Sequence, residues 1–287
     1  MAQSGSAFGW GPKGRWFKSS RPDRGGTANS PTAYGVLGVG AIGAAIVTGL
    51  CENVDEAPQV LLSPRNAGIA AGLAQRFPSV EVAADNQAVV DGAGVVIVCV
   101  RPQVAQAVLD ELSFPADRVV VSAMAGAPVD TLQRLVAPAT DVARVIPLPS
   151  VARREGITPV HPPNAAATAL FDRLGETVEL ADVGAFEAFS ASTATIAAHF
   201  AYLNVIAAWL ESQEIPAPAA TRYVASIFAG LAEATRSGDS FEQLAREHAT
   251  SGGINEQFLN ELEQSGAFEH VSLGLQRILA RLNAAAH

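Results

Sequence analysis

Gly38, Gly40 and Gly43 follow the apolar run Tyr34-Gly35-Val36-Leu37 and open a second apolar run, Ala44 to Leu50. A strand that breaks into Gly-x-Gly-x-x-Gly and continues as a helix is built to receive a pyrophosphate. The first glycine allows a tight turn, the second lets phosphates approach the backbone, and the third lets the helix pack closely. The residues of that cradle are Gly38, Val39, Gly40, Ala41, Ile42 and Gly43. Further on, the apolar strand Gln59-Val60-Leu61-Leu62 ends in Ser63-Pro64-Arg65-Asn66. A site for an unphosphorylated ribose places Asp or Glu there to hold the 2′-hydroxyl, whereas a 2′-phosphate calls for a cation and hydroxyl donors. Ser63 and Arg65 supply the second set and no acid is present, so the expected cofactor is NADP(H).

The elements that must position these groups alternate along the chain. Strands are expected at 34–39, 58–63, 79–83, 94–100, 118–123 and 141–146, and helices near 41–52, 66–77, 85–92, 102–112 and 128–137. This is the pattern of an α/β fold, a Rossmann-type doubly wound parallel sheet covered on both faces. Gly94-Val-Val-Ile-Val-Cys-Val100 shows no polar alternation, as a strand buried on both sides requires. Such sheets bind ligands beyond the carboxyl ends of their strands, which adds Asn66, Asn86, Val100, Arg101, Pro102, Ala125 and Gly126 to the expected cofactor set. After about residue 182 the texture becomes helical. Residues 185–211 predict one long, mostly buried helix, ended by Pro216 and Pro218. Helices follow at 219–236 and 240–248. The loop Ala249 to Glu256 then precedes an amphipathic helix bearing Phe258, Leu259 and Leu262, and a last helix at 268–282. The expected organisation is a disordered basic tail at 1–33, an NADP-binding Rossmann domain at 34–182 and an all-α dimerisation domain at 183–287. A helical domain this apolar is hard to bury alone, which predicts a homodimer or a higher homo-oligomer.

Composition narrows the classes of function. The chain has 287 residues, 49% of them hydrophobic and 16% charged, with a formal net charge of −9. The cations Lys13, Arg15, Lys18, Arg21 and Arg24 crowd the tail, so the body is acidic and nucleic acid is not an expected partner. Cys51 and Cys99 are the two cysteines, which fits a reducing, cytoplasmic setting better than a disulfide framework. The apolar stretches read as shorter than the roughly 20 residues a membrane span needs, so no membrane is expected. His161 and His270 form no metal-ligand spacing with any Cys or carboxylate, and no metal site is expected.

With both halves in view, residues 34–282 resemble the pyrroline-5-carboxylate reductases. The resemblance rests on short stretches in a fixed order: the glycine turn, Ser63-Pro-Arg-Asn66, Asp85-Asn86-Gln87-Ala-Val-Val90 and Val98-Cys-Val-Arg-Pro-Gln103. Val121-Ser-Ala-Met-Ala-Gly126, Arg144-Val-Ile-Pro147 and a late Ser-Gly-Gly loop complete it. It implies NADPH as cofactor, a helical domain swapped into a tight dimer whose partner completes the site, and hydride transfer to the C=N bond of a small cyclic imine acid, pyrroline-5-carboxylate to proline. By the same resemblance Ser251, Gly252 and Gly253 hold the substrate carboxylate, and Thr250, Asn255 and Glu256 are the candidate catalytic groups. Backbone N–H groups and a positive helix end converging on an anion would serve that role.

The chain departs from the family around the expected pocket. The family's Ser-Pro-Gly-Gly-Thr becomes Ser251-Gly-Gly-Ile-Asn255-Glu256, its Pro-Asn-Thr-Pro becomes Pro147-Leu148-Pro149-Ser150, and its Ser-Gly-Ser-Gly-Pro-Ala-Tyr becomes Ser190-Ala-Ser-Thr-Ala-Thr-Ile196. These changes leave two alternatives open: the same fold reducing a different small imine or carbonyl compound, or a catalytically silent NADP-binding protein. Glu256 also reads as a first-turn acid closing a capping box, His199 as a core histidine, His248 as the cap of the preceding helix, and Tyr202 and Tyr223 as core or interface residues. Lys13 and Lys18 are the only lysines, both in the tail. Acid–base chemistry by a lysine of the long helix, and Schiff-base chemistry, are therefore excluded in 34–287.

Overall fold

The computed structural model describes residues 33–285, so the expected tail at 1–33 falls outside the described residues except for its last member. From Tyr34 the chain runs β1 (Tyr34–Leu37), α1 (Ala41–Cys51), β2 (Val60–Leu62), α2 (Ala67–Arg76), β3 (Val80–Val82) and α3 (Asn86–Gly92). It continues through β4 (Val95–Val98), α4 (Pro102–Leu109), β5 (Val119–Ser122), α5 (Val129–Leu135) and β6 (Asp141–Val145). These match the expected elements, with ends trimmed by a residue or two where turns begin.

The strands form one 8-stranded sheet in the order β3-β2-β1-β4-β5-β6-β7-β8. β1 to β6 are parallel throughout, and the order reverses between β1 and β4, which is where a doubly wound sheet opens its ligand crevice. Successive residues feed opposite cores. Val36 and Ile97 pack on one face with Ile46, Leu170 and Phe171. Leu37, Val96 and Val98 pack on the other with Val89, Leu109 and Leu132. A strand apolar on both sides follows from that double burial.

Two strands lie beyond those expected. A 3-10 turn (Pro149–Arg153) leads into β7 (Ile157–His161), which runs antiparallel to β6; α6 (Ala165–Phe171) then leads to β8 (Glu176–Glu179) at the edge. β7 carries Pro159 and β8 is Glu-Thr-Val-Glu, so neither shows an apolar run. β8 ends the sheet, where charge is tolerated, while β7 lies between β6 and β8 and meets β6 only through Val160 and His161, beyond Pro159.

Six helices follow among the described residues: α7 (Val183–Ser192), α8 (Thr195–Ser212), α9 (Ala217–Ala234), α10 (Phe241–His248), α11 (Ile254–Gln264) and α12 (Ala267–Ala285). The single helix expected at 185–211 is interrupted at Thr193 and Ala194. At the break the backbone tightens, Thr193 N–H donating to Ser190 O at 3.2 Å and Ala194 N–H to Ala191 O at 3.1 Å. Three hydroxyls accompany it: Ser192 Oγ donates to Phe189 O at 2.7 Å, Thr193 Oγ1 to Ser190 O at 2.7 Å and Thr195 Oγ1 to Ser192 O at 2.8 Å. Nor is the helix mostly buried. On α8 only Ala207 is buried, while Phe200, Val205 and Trp209 stand 64%, 65% and 61% exposed in the single chain. The run Val183–Ser212 is also long and apolar enough, by length and composition alone, to cross a membrane. That corrects the expectation that every apolar stretch is too short.

Candidate functional site

The glycine turn is shaped by what a side chain would strike. Gly38 leaves β1 at φ +90°, and a Cβ there would lie 2.9 Å from the backbone of Cys99. At Gly43 a Cβ would come within 2.8 Å of Gly38 O, so α1 is pressed against the turn. At Gly40 a Cβ would meet nothing within 4 Å. The turn is therefore tight at its first and third glycines and open at its second. Gly40 caps α1 without a side-chain hydrogen bond, and no acid sits in the first turn. The N–H groups of Ala41, Ile42 and Gly43 face that opening at the positive end of the helix, a donor set suited to a pyrophosphate.

Two side chains from the end of β2 clamp this turn. Ser63 is buried, 1% exposed, and its Oγ accepts the Gly38 N–H at 3.0 Å. Asn66 Nδ2 donates to Val39 O at 3.0 Å. Ser63 thus belongs to the cofactor region as a clasp of the glycine turn, not as an open hydroxyl on the surface. Arg65 lies exposed between them and is within ion-pair distance of no carboxylate among the described residues. Arg101 and Pro102, at the start of α4, are exposed at the same edge; Asn86 and Val100 are half-buried there. Ala125 is exposed and Gly126 turns at φ +72° after β5. The sheet brings the whole expected cofactor set to one edge, and its residues fit a phosphorylated dinucleotide.

Next to the turn lies a cavity of about 240 Å³ walled by Ile42, Met124, Ile146, Leu148 and Phe186, with Ser190, Thr193 and Ile196 from α7 and α8. Arg144, from β6, also reaches its wall. Arg144 Nη1 donates to Glu187 Oε1 of α7 at 2.6 Å, and both residues are 2% exposed. The guanidinium also stacks 4.6 Å over the Phe186 ring. This pair was not singled out from the sequence. The signal was present: an arginine inside the buried run Val142-Ala143-Arg144-Val145 requires a partner, and Glu187 is the acid of an apolar helix. The pair ties the helical segment to the sheet, and Arg144 Nε and Glu187 Oε2 stay buried without a further partner. Neither cysteine lines the cavity, and burial pushes the Cys99 thiol up to about 12 and also raises Cys51.

The residues expected to hold and work on substrate gather elsewhere, at the α10–α11 junction. None of Thr250, Ser251, Gly252, Gly253, Asn255 or Glu256 lines the cavity of the single chain. Gly252 turns at φ +74° and Gly253 caps α11. Glu256, in the first turn of that helix, accepts the Gly252 N–H through Oε2 at 2.7 Å, while Gly253 N–H donates to Thr250 O at 2.8 Å. Asn255 Nδ2 donates to His248 O at 3.2 Å, and His248 Nδ1 pairs with Leu244 O at 2.8 Å. The turn closes on itself. His199 is exposed, edge-on to Phe228, and neither enters the core nor lines the cavity. Tyr202 also packs on Phe228, and Tyr223 is 62% exposed.

Family models match two parts of the chain: residues 33–126 match "NADP oxidoreductase coenzyme F420-dependent" and residues 182–284 match "Pyrroline-5-carboxylate reductase dimerisation". No curated protein matches it in sequence. Among solved structures, the chain is similar to 1-pyrroline-5-carboxylate reductase from Streptococcus pyogenes, with TM-score 0.72, 21% identity, and 88% of this chain and 99% of that one covered. It is similar to the pyrroline-5-carboxylate reductase of Coxiella burnetii, with TM-score 0.75, 20% identity and coverage of 90% and 100%. A third, Plasmodium falciparum pyrroline carboxylate reductase with NADP bound, gives 0.73, 16%, 89% and 98%. A glycine cradle on a doubly wound sheet followed by a helical dimerisation segment defines a nicotinamide-dependent oxidoreductase. Residues 182–284 match the pyrroline-5-carboxylate reductase dimerisation family, and the chain shares the fold of the solved pyrroline-5-carboxylate reductases. The match over 182–284 supports homo-oligomerisation through the helices that the single chain leaves exposed.

Proposed function

We propose that this protein is an NADPH-dependent reductase of the C=N bond of a small cyclic imine, working as a homodimer in the cytoplasm. The observation that carries the reading is the pairing of a glycine turn open at Gly40 with an apolar cavity at the same sheet edge. The cofactor would supply the hydride. Ala41, Ile42 and Gly43 would hold its pyrophosphate through their N–H groups, and Arg65 would take its 2′-phosphate. The chain's remaining work is to orient the acceptor and exclude water, and a wall of Ile42, Met124, Leu148 and Phe186 suits both. A protonated imine is already electrophilic, so no nucleophile or lysine is required.

The resemblance implies pyrroline-5-carboxylate, reduced to proline, as acceptor, held by Ser251, Gly252 and Gly253 with Thr250, Asn255 and Glu256 near the reacting bond. A second reading, another small imine or carbonyl compound, is favoured by Leu148 and Pro149 on the cavity wall and by Glu256 at the turn. Steady-state oxidation of NADPH with a panel of cyclic imines and carbonyl compounds tests both. Turnover of imines supports reduction. Tight NADPH binding with no turnover of any acceptor would leave only a silent NADP-binding protein.

A further inference from the structure

The Arg144–Glu187 pair fastens α7 to β6 in a costly way. It is made by one hydrogen bond, Arg144 Nη1 to Glu187 Oε1 at 2.6 Å, between two buried residues. Arg144 Nε and Glu187 Oε2 are buried without a partner, two of the three such side-chain atoms among the described residues. Breaking a buried pair is destabilising, yet apolar residues of like volume often hold a core as well as the pair does. Fastening alone therefore gives no reason for charge at this place, and orphaned buried atoms call for one. The cavity supplies it. Arg144 lies on the cavity wall, its guanidinium stacks over Phe186 of the same wall, and Glu187 follows Phe186 in α7. Arg144 is the one charged residue among those that line the cavity. Glu187 thus decides whether the cavity meets a compensated charge or a bare cation.

Hydride transfer to a protonated imine keeps one positive charge beside that wall from start to finish. The acceptor enters as C=N+–H, its proton taken from water, next to an uncharged dihydronicotinamide. Hydride leaves C4 of NADPH and bonds to the imine carbon, and the C=N π pair moves to nitrogen. The product is an uncharged cyclic amine, and the charge now lies on the nicotinamide ring of NADP+. From the pair's place on the wall we infer that Glu187 is a positioning residue for this reaction: through Arg144 it lets the cavity receive that cation. The inference rests on the proposed imine reduction and fits the site to a protonated imine in preference to a carbonyl compound. A carbonyl acceptor would develop negative charge on oxygen, which an uncompensated Arg144 would stabilise better than a paired one.

Two ligands separate the charge from every other contact. With NADPH bound, proline carries a positive ring nitrogen, as the protonated imine does. Tetrahydrofuran-2-carboxylate is its counterpart with an uncharged ring oxygen, and both keep the carboxylate. Their dissociation constants are compared in the full-length protein and in two variants. E187Q keeps an acceptor for Arg144 Nη1 and removes the negative charge. Proline should then weaken about tenfold, the effect of an uncompensated charge about 10 Å away at an effective dielectric of about 20. Tetrahydrofuran-2-carboxylate should not weaken, and kcat/KM for pyrroline-5-carboxylate should fall along with proline affinity. The double variant R144M/E187M buries no charge, and there the ratio of the two constants should return to within about threefold of wild type, the coupling expected of a charge pair. Equal weakening of both ligands in E187Q, an unchanged proline affinity, or a double variant that keeps the ratio of E187Q overturns the inference while leaving imine reduction intact. NADPH binding with no turnover of any imine by the wild type removes imine reduction itself, and the inference with it.

Discussion

The sheet edge and the helical segment are finished to different degrees in one chain. At the edge, each group that shapes the glycine turn has its partner inside the same domain: Ser63 on Gly38, Asn66 on Val39, Gly43 against Gly38. Over α8 and α9 the large side chains Phe200, Val205, Trp209 and Tyr223 are mostly exposed in the single chain. The first region is complete within one chain. The second needs more protein before its apolar face is buried. The Arg144–Glu187 pair joins them, holding α7 against β6.

Breaking that join should have the largest effect. Glu187→Ala leaves a buried guanidinium with no counter-charge, which costs about 3–5 kcal/mol. Chemical denaturation should show a loss of that order, and a change under 1 kcal/mol would mean the pair is not what fastens helix to sheet. Val205→Asp should come next. It sets a charge in the middle of the exposed apolar face, where interface centres carry about 2 kcal/mol or more per residue. Sedimentation should then shift toward the monomer while NADPH binding persists; an unchanged oligomer would place the interface elsewhere.

The third variant sharpens the claim that the edge works alone. Arg65→Ala should raise the NADPH KM about tenfold or more, the worth of a charge-assisted hydrogen bond of about 1.5–3 kcal/mol. The NADH KM should scarcely move, and equal losses would refute the phosphate role. Ser63→Ala is the mildest. It leaves the Gly38 N–H without its acceptor and should cost about 1–3 kcal/mol, chiefly in stability. Both cofactors should weaken together, because the clasp shapes the turn they share.

What was legible in the sequence follows the same division. β1 to β6 were visible because strands buried on both faces must be apolar throughout, and the glycine turn because close approach leaves no room for Cβ. β7 and β8 were not visible, since Pro159 interrupts the first and Glu176-Thr177-Val178-Glu179 alternates as an edge strand may, so neither forms an apolar run. The interruption at Thr193 is a local tightening of the backbone accompanied by three hydroxyl bonds, a pattern with no apolar periodicity to reveal it. The residues of α8 were rightly seen as apolar and wrongly placed inside one chain. Amphipathicity reports that a face is buried but not by which molecule. The α10–α11 turn was found through its glycines, yet its closure by Glu256 depends on a side-chain rotamer that no spacing rule supplies.

The most direct measurement follows the hydride. Incubation of the protein with NADPH deuterated at C4 and 2-methyl-1-pyrroline, with mass spectrometry of the product, should give a cyclic amine one mass unit heavier, the deuterium on the carbon beside nitrogen. Cofactor bound at the glycine turn with no deuterium in any amine would contradict imine reduction at this site.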